Sequence, residues 1–375
     1  KYNGYKAYGS DGCQVALEMA DAILDEINQL DIFRDVKHMD YDTAVEQGSI
    51  KGIGEDVVTA FLNAVKSQSI LDCSNSDLKV VYTPLNGSGK MCVTRIFDMI
   101  GIKDVTIVPE QSEPDGNFPT CPYPNPEFRE ALQVGLNLCE SVHPDLLVAT
   151  DPDCDRMGIA VRHNGDYQLL NGNEVGVLLL DFIARNRIAN GTMPKYPVAV
   201  KTIVSTDLTD SVAKEYGIEL RSVLTGFKYI GDQIAGLEAN GEENRYIFGF
   251  EESYGYLSGS YVRDKDAVNA SMLVCEMAVD YKKQGKTLVD AIHDIYEKHG
   301  YFLNELMNFT FEGQDGMNKM QSIMEHLRTN TPTKIADFAV VGWSDYKASK
   351  CFDGTIETEI TLPKSNVLEY RLENG

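Results

Sequence analysis

Residues 145–156 read DLLVATDPDCDR, an apolar run that ends in three carboxylates spaced two residues apart and is closed by an arginine. Alternate side chains of an extended segment share one side, so Asp151, Asp153 and Asp155 can face a common point. Pro152 favours this geometry because it disfavours helical dihedrals at the preceding residue and fixes its own φ. Oxygen ligands without histidine or cysteine suit a hard cation, Mg²⁺ before Zn²⁺. The segment therefore predicts a strand that leads into a divalent-metal loop.

The acidic loop, residues 151–156, has other interpretations. A solvated acidic turn is the simplest, but three like charges within five residues repel one another unless a cation lies between them. An EF-hand loop that begins at Asp151 would need Gly in its sixth place and Glu in its twelfth, where this chain has Arg156 and Arg162. That mismatch excludes the EF-hand. A phosphatase that forms an aspartyl phosphate on Asp151 also has Asp-x-Asp after an apolar strand, and it stays open as a competitor.

The segments around the acidic loop alternate between strand and helix patterns. Strands are predicted over 79–83 and 105–108, and Asn164-Gly165 predicts a hairpin between 157–162 and 167–170. The alternation then restarts, which suggests a structural duplication, with helices over 173–187, 207–216, 229–239 and 266–284 and strands over 197–204, near 220 and over 245–250. Such alternation predicts mostly parallel sheets with helices on their faces. Ligands of these sheets bind beyond the carboxyl ends of the strands, where the acidic loop lies.

We therefore expect an α/β protein built from repeated three-layer α/β/α domains with mixed, mostly parallel sheets, followed by an incomplete α+β domain. Helices are expected earlier as well, over 12–30 and from about 54 to 71. The predicted domains are 1–72, 73–170, 171–300 and 301–375. Because the chain opens on Lys1 in a turn-like segment, we expect it to be a piece of something longer.

Composition limits the classes of partner. The 375 residues include 34 basic and 57 acidic side chains, a net charge of −23, which argues against a nucleic-acid or anionic-membrane surface. The eight cysteines form no Cys-x-x-Cys pair, as expected of reduced thiols. No long apolar run or signal peptide is evident, so a cytoplasmic location is the default expectation.

Two glycine-containing turns are candidates for phosphate sites. The turn 84–90 lacks the Gly and the Ser or Thr that a P-loop needs at positions 84 and 91, so we interpret it as a tight strand-to-helix turn. Thr225-Gly226-Phe227-Lys228 combines a hydroxyl, a flexible residue and a cation at a predicted helix start, where free N–H groups favour an anion. An ordinary helix cap explains the same pattern equally well.

Two later segments carry polar side chains at the end of a strand. In FGFEESYG, residues 248–255, Glu251 and Ser253 provide acceptors that suit paired sugar hydroxyls. The following RDKD, residues 263–266, fits a charged first helical turn capped by Asp266. That explanation covers Arg263 and Lys265 less well, and both stay candidates for substrate binding.

Taken in order, DPDCDR, TGFK and GFEESYG resemble the loops of the α-D-phosphohexomutase superfamily, and YGY with RDKD resembles its bacterial phosphoglucomutase and phosphomannomutase branch. The resemblance covers essentially the whole chain and implies four domains around one cleft. It implies a role for each candidate residue: Mg²⁺ ligands Asp151, Asp153 and Asp155; support of the reacting phosphate by Arg156; substrate binding by Thr225, Gly226, Lys228, Glu251, Ser253, Arg263 and Lys265; and general acid/base catalysis by Lys6, which follows Asn3-Gly4-Tyr5.

The resemblance further implies interconversion of hexose 1-phosphate and hexose 6-phosphate through a phosphoserine and a bisphosphate intermediate. Glucose phosphates are the expected substrates, with glucose 1,6-bisphosphate as the intermediate. Mannose or pentose phosphates, and a non-catalytic sugar-phosphate-binding module, are the alternatives. The family's Thr-Ala-Ser-His-Asn-Pro type loop and its Arg-x-Ser-Gly-Thr-Glu-Pro type clamp are both absent from this sequence. We therefore expect this chain to be inactive alone. The enzyme to which it belongs is expected to act on a hexose phosphate as a monomer or homodimer.

Overall fold

The computed structural model describes residues 6–15 and 17–374. The chain divides into two units, one through Phe302 and one from Leu303 onward. Among the described residues, no helix is both long and apolar enough to cross a bilayer. The predicted segment Asn3-Gly4-Tyr5 lies outside the described residues, and the finer division of the first unit at residues 72 and 170 stays a prediction.

The first unit alternates helices and strands after three N-terminal helices. Its helices are α1 (Leu17–Asn28), α2 (Tyr41–Glu46), α3 (Glu55–Lys66), α4 (Lys90–Ile100), α5 (Arg129–Val142), α6 (Gly172–Ala189), α7 (Leu208–Glu215), α8 (Phe227–Ala239), α9 (Ala267–Lys283) and α10 (Leu288–His299). Its strands are β1 (Lys79–Thr83), β2 (Asp104–Ile107), β3 (Leu146–Thr150), β4 (Met157–His163), β5 (Asp166–Leu170), β6 (Val198–Thr202), β7 (Glu219–Val223), β8 (Tyr246–Glu251) and β9 (Gly255–Leu257).

The first sheet has the strand order β2-β1-β3-β4-β5. Strands β1, β2 and β3 are parallel, β4 is antiparallel to β3, and β5 is antiparallel to β4. All five residues of β3 are buried, as their continuous apolar sequence requires of a strand covered on both faces. Asn164 and Gly165 both have positive φ, 51° and 90°, which is the backbone of the tight hairpin turn that the sequence predicts between β4 and β5.

The second sheet repeats this wiring in the order β7-β6-β8-β9. Its first three strands are parallel and β9 returns antiparallel. Helix α9 contacts helices α3, α4, α6 and α10 and strands β3, β4 and β9. Because this helix is buried along nearly its whole length, one apolar core continues from the first sheet to the second. The carboxyl ends of β3 and β8 are thereby held near each other.

The second unit is α+β. Helix α11 (Gly313–Thr329) precedes β10 (Lys334–Ile335), β11 (Phe338–Asp345), β12 (Lys350–Phe352), β13 (Glu357–Glu359) and β14 (Leu368–Leu372). These strands form one antiparallel sheet in the order β10-β11-β12-β13, with β14 on the other side of β11. The fold class expected from the sequence is confirmed: α/β with mixed sheets, followed by an α+β portion.

Three helical segments differ from expectation. Helix α2 (Tyr41–Glu46) lies in a stretch for which no helix was predicted. The helix expected from residue 12 begins only at Leu17, because Gly12 has φ 77° and lies in a turn. Helix α10 was not predicted, although Thr287 and Asp290 form a capping box at its start. The two capping-box residues are recognisable in the sequence, but no helix was predicted after the long helix over 266–284.

Candidate functional site

The acidic loop follows the buried strand β3 and is organised by its first aspartate. The N–H groups of Asp155 and Arg156 donate to Asp151 Oδ1 at 3.0 and 2.9 Å, and the Cys154 N–H donates to the Asp151 carbonyl at 3.0 Å. Cys154 has φ 60°, the left-handed conformation that lets the chain turn this tightly. One carboxylate oxygen from each of the three aspartates lies within 4.8 Å of the others. The structure thus brings the three predicted ligands together.

The charges within this loop oppose one another. Burial raises the pKa of Asp151, and the neighbouring carboxylate of Asp155 raises it further. A cation between the carboxylates would relieve both effects, because it stabilises the ionised forms. The donor set contains only carboxylate oxygens, as Mg²⁺ and Ca²⁺ prefer. These three residues therefore fit a hard divalent cation.

Two lysines from distant parts of the chain lie on Asp155. Lys6 Nζ is 2.9 Å and Lys265 Nζ is 2.9 Å from Asp155 Oδ2, and Lys6 Nζ is also 3.6 Å from Asp153 Oδ2. Burial opposes ionisation of Asp155, but Lys265 and Lys6 outweigh it and lower its pKa. Burial likewise lowers the pKa of each lysine, and the facing carboxylates, Asp155 first, reverse that effect and raise it. The two ammonium groups therefore stay protonated.

A cleft of about 680 Å³ opens beside these groups, and Lys6, Asp153, Asp155, Arg263 and Lys265 are among the residues that line it. Arg263 is only 8% exposed. Its guanidinium pairs with Glu238 and donates to the Ser260 carbonyl, so its positive charge is partly neutralised within the protein. It forms a wall of the cleft.

Backbone contacts join the acidic loop and the start of β4 to the end of β8 and the turn that follows it, residues 251–254, which we call the Glu-Ser loop. Met157 N–H donates to the Tyr254 carbonyl at 3.0 Å, and Arg156 and Gly255 form an antiparallel bridge. The Ala267 N–H at the start of α9 donates to the Cys154 carbonyl at 3.1 Å. The two loops therefore lie edge to edge.

The Glu-Ser loop is tied in turn to the TGFK segment. Glu251 is 4% exposed, and its Oε1 accepts the Gly226 N–H at 2.8 Å. Burial raises the pKa of Glu251, against the opposing effects of Lys265 and the Gly226 N–H. Gly226 has φ 120°, which L side chains rarely adopt, so a glycine is required at this contact.

Arg156 lies beside the aspartates, with its Nε 3.9 Å from Asp155 Oδ1. Arg156 Nη1 is 3.1 Å from Glu127 Oε1, and Lys228 Nζ lies 4.9 Å from the centre of the Tyr229 ring. Within the described part of the chain, no hydrogen bond or ion pair joins the side chains of Thr225, Lys228 or Ser253 to the aspartates.

Three residues that form hydrogen bonds or ion pairs in this region were not predicted as site residues. Tyr8 OH donates to Asp264 Oδ2 at 2.8 Å across 256 residues of sequence, and Lys6 Nζ is 3.9 Å from the same oxygen. Glu127, the partner of Arg156, stands in a proline-rich connection without any motif. Asp264 was visible only as one letter of RDKD, and no sequence signal pointed to Tyr8 or Glu127.

Comparison with known proteins identifies the family of the chain. Residues 59–165 match the family model for phosphoglucomutase/phosphomannomutase, alpha/beta/alpha domain II, and residues 171–299 match domain III. A phosphoglucomutase of Staphylococcus aureus is 36% identical over 100% of this chain and 66% of its own length. One from Staphylococcus saprophyticus is 35% identical over 100% of this chain and 67% of its own length.

A solved structure, a putative phosphomannomutase from Thermus thermophilus, has a TM-score of 0.53 and 23% identity, covering 68% of this chain and 55% of that one. That likeness concerns the fold. The chain spans about two thirds of the length of the curated relatives it matches. By its two matched domains and its identity to these relatives, the chain belongs to the phosphoglucomutase/phosphomannomutase family of the α-D-phosphohexomutase superfamily.

Proposed function

We propose that the chain forms the metal- and sugar-binding part of a cytoplasmic isomerase that interconverts hexose 1-phosphate and hexose 6-phosphate. Glucose phosphates are the substrates we propose. The observation that carries the proposal is the edge-to-edge contact between the acidic loop and the Glu-Ser loop, with Lys6 and Lys265 at 2.9 Å from Asp155. It supports a site where a cation, two ammonium groups and a hydroxyl-binding carboxylate act on one sugar phosphate.

In this proposal Asp151, Asp153 and Asp155 hold Mg²⁺, which when bound neutralises charge on a phosphoryl group. Phosphoryl transfer requires mainly positioning and charge stabilisation from the protein. Lys265 and Arg156 orient the phosphate, and Glu251 accepts a sugar hydroxyl. General acid/base catalysis by Lys6 is the role that the family resemblance implies, and its Nζ lies beside the predicted metal ligands, 2.9 Å from Asp155 Oδ2.

The remaining predicted contacts belong to the same proposal. Thr225, Gly226 and Lys228 at the start of α8 would hold the substrate phosphate, Ser253 a second hydroxyl, and Arg263 the cleft wall. The phosphoryl group would pass between a serine and the sugar through glucose 1,6-bisphosphate.

The test uses glucose 1-phosphate, Mg²⁺ and glucose 1,6-bisphosphate, with formation of glucose 6-phosphate as readout. We expect no conversion by the chain of 375 residues alone. Conversion should appear when the chain is extended upstream by the family's serine loop and downstream by its phosphate-clamp loop, and Asp153→Asn in that longer protein should abolish it. Lys6→Ala should lower turnover by about 10²–10⁴-fold. Release of inorganic phosphate with a trapped aspartyl phosphate would instead identify a phosphatase.

A further inference from the structure

The turn between β1 and α4, residues 84–89, has no role in the proposed chemistry, yet it touches the acidic loop. The Ser88 N–H donates to the Pro152 carbonyl at 2.9 Å, and Ser88 Oγ donates to the same oxygen at 3.0 Å. Pro152 stands between the first two aspartates and has no N–H of its own. Its carbonyl therefore links the acidic loop to a different part of the sheet edge.

Gly87 makes the closest approach of this turn. A Cβ on Gly87 would lie 2.3 Å from Pro152 Cα and 2.6 Å from its carbonyl oxygen, so no side chain fits without displacing backbone. Gly87 is not among the residues with positive φ, so its backbone conformation is open to alanine. Only the contact with the acidic loop requires a glycine here.

A second contact lies one residue beyond Ser88. A Cβ on Gly89 would meet Cys154 Sγ and Thr150 Oγ1, each at 2.8 Å. Thr150 Oγ1 shares a hydrogen bond of 2.9 Å with the buried Tyr82 hydroxyl at the end of β1. The turn thus supports the acidic loop on both sides of Asp153.

We propose that the turn 84–89 positions the metal ligands, with Ser88 as a positioning residue and Gly87 as the point of contact. The inference rests on the proposed function through the metal role of the acidic loop. To bind a metal, the three carboxylates must stay within 4.8 Å of one another although they repel. The hydrogen bonds inside the loop join only its own atoms, so they do not fix the loop to the rest of the protein. The turn 84–89 and the Ala267 N–H, which donates to the Cys154 carbonyl, attach the acidic loop to the rest of the protein.

The first test compares Gly87→Ala with Gly116→Ala in the chain of 375 residues. Gly116 is exposed and a Cβ there meets nothing within 4 Å, so it is a matched control. Mn²⁺ alone is the probe, and its binding is followed by electron paramagnetic resonance. Loss of groups that orient metal ligands typically weakens binding by about 10–100-fold, which we expect for Gly87→Ala and not for Gly116→Ala.

A metal-free readout separates positioning from metal chemistry. The amides of Cys154, Asp155 and Arg156 are bonded within the loop, so displacement of the loop should speed their hydrogen exchange in Gly87→Ala. If the unsubstituted chain binds no Mn²⁺ while exchange still rises, the positioning role stands and the metal part of the proposed function falls. Unchanged exchange at these amides would overturn the positioning role.

A gentler pair of variants covers the case in which Gly87→Ala does not fold. Ser88→Ala removes one of two hydrogen bonds to Pro152, and we expect Mn²⁺ affinity to fall by about 3- to 10-fold. Ser88→Thr keeps the hydroxyl at an exposed position and should restore affinity. Equal affinity in Ser88→Ala, Ser88→Thr and the unsubstituted chain would show that the turn only connects β1 to α4.

Discussion

The acidic loop and the Glu-Ser loop occupy the same place in two sheets of the same wiring. Each follows a fully buried central strand, β3 or β8, and each is followed by an antiparallel strand. Each also rests on a glycine: Gly87 lies against Pro152, and a Cβ on Gly172 would lie 1.9 Å from the Glu252 carbonyl oxygen. The supporting geometry is therefore shared.

The loops differ in how they handle charge. The side chain of Asp153 is 64% exposed, and lysines from elsewhere in the chain neutralise its neighbour Asp155. Glu251 is buried and accepts a backbone N–H from Gly226. The acidic loop thus presents one carboxylate at the surface, whereas the carboxylate of the Glu-Ser loop is fixed inside the protein. The same supporting geometry thus carries two different arrangements of carboxylates, set by the loop sequences.

The largest effect is expected from Asp155→Asn. It removes a predicted ligand and the partner of both lysines, so Mn²⁺ affinity should fall by more than the roughly 10–100-fold typical of supporting residues. Calorimetric titration of Mn²⁺ measures it. The control is Asp104→Asn, which removes an exposed carboxylate at the start of β2 and should leave Mn²⁺ affinity unchanged. Retained Mn²⁺ binding in Asp155→Asn would remove the contrast between the two loops.

Gly172→Ala should damage the Glu-Ser loop alone. Its Cβ would meet the Glu252 backbone, so we expect about 2–3 kcal/mol lower free energy of unfolding and weaker binding of glucose 6-phosphate, with Mn²⁺ affinity unchanged. Urea unfolding and calorimetry report the two quantities. The control is Gly236→Ala, exposed within α8 and with open space around its Cβ, which should be neutral or slightly stabilising. A matching loss of Mn²⁺ affinity would mean that the loops move as one.

A pair of hydroxyl deletions compares the strands below the loops. Thr202 Oγ1 donates to the Glu252 carboxylate at 2.8 Å, whereas the Tyr82 hydroxyl bonds the neutral Thr150 at 2.9 Å. Bonds to charged groups contribute more, so Thr202→Val should lower the free energy of unfolding by about 1.5 kcal/mol and Tyr82→Phe by about 1 kcal/mol. Urea unfolding of both variants checks the order, and the reverse order would contradict this account.

The smallest effect concerns pH. The pKa of Glu251 is raised by burial above its ordinary value near 4.5, so the folded state binds its proton more tightly than the unfolded state does. The stability that Glu251 contributes is therefore fully present below about pH 4.5 and is lost as pH rises through the raised pKa. Glu251→Gln should lack this decline. Urea unfolding at several pH values, compared between the two proteins, measures it; parallel curves would contradict it.

Local pattern accounts for much of the fold. The predicted strand over 79–83 coincides with β1, and the Asn164-Gly165 hairpin forms as expected. Periodicity and turn chemistry depend on neighbours in sequence, so they can be read directly. The three aspartates were predicted for the same reason, since their spacing alone places them in one loop.

The sequence by itself determined the alternation of strands and helices, the acidic loop and the kind of ion its oxygen atoms suit. Only the tertiary structure decided which groups meet: Lys6 reaches Asp155 across 149 residues, Gly226 caps Glu251, and Gly87 supports Pro152. Such contacts depend on strand order and on helix α9 between the two sheets. Short-range preferences specify each element, but the burial of one shared core specifies how distant loops are brought together.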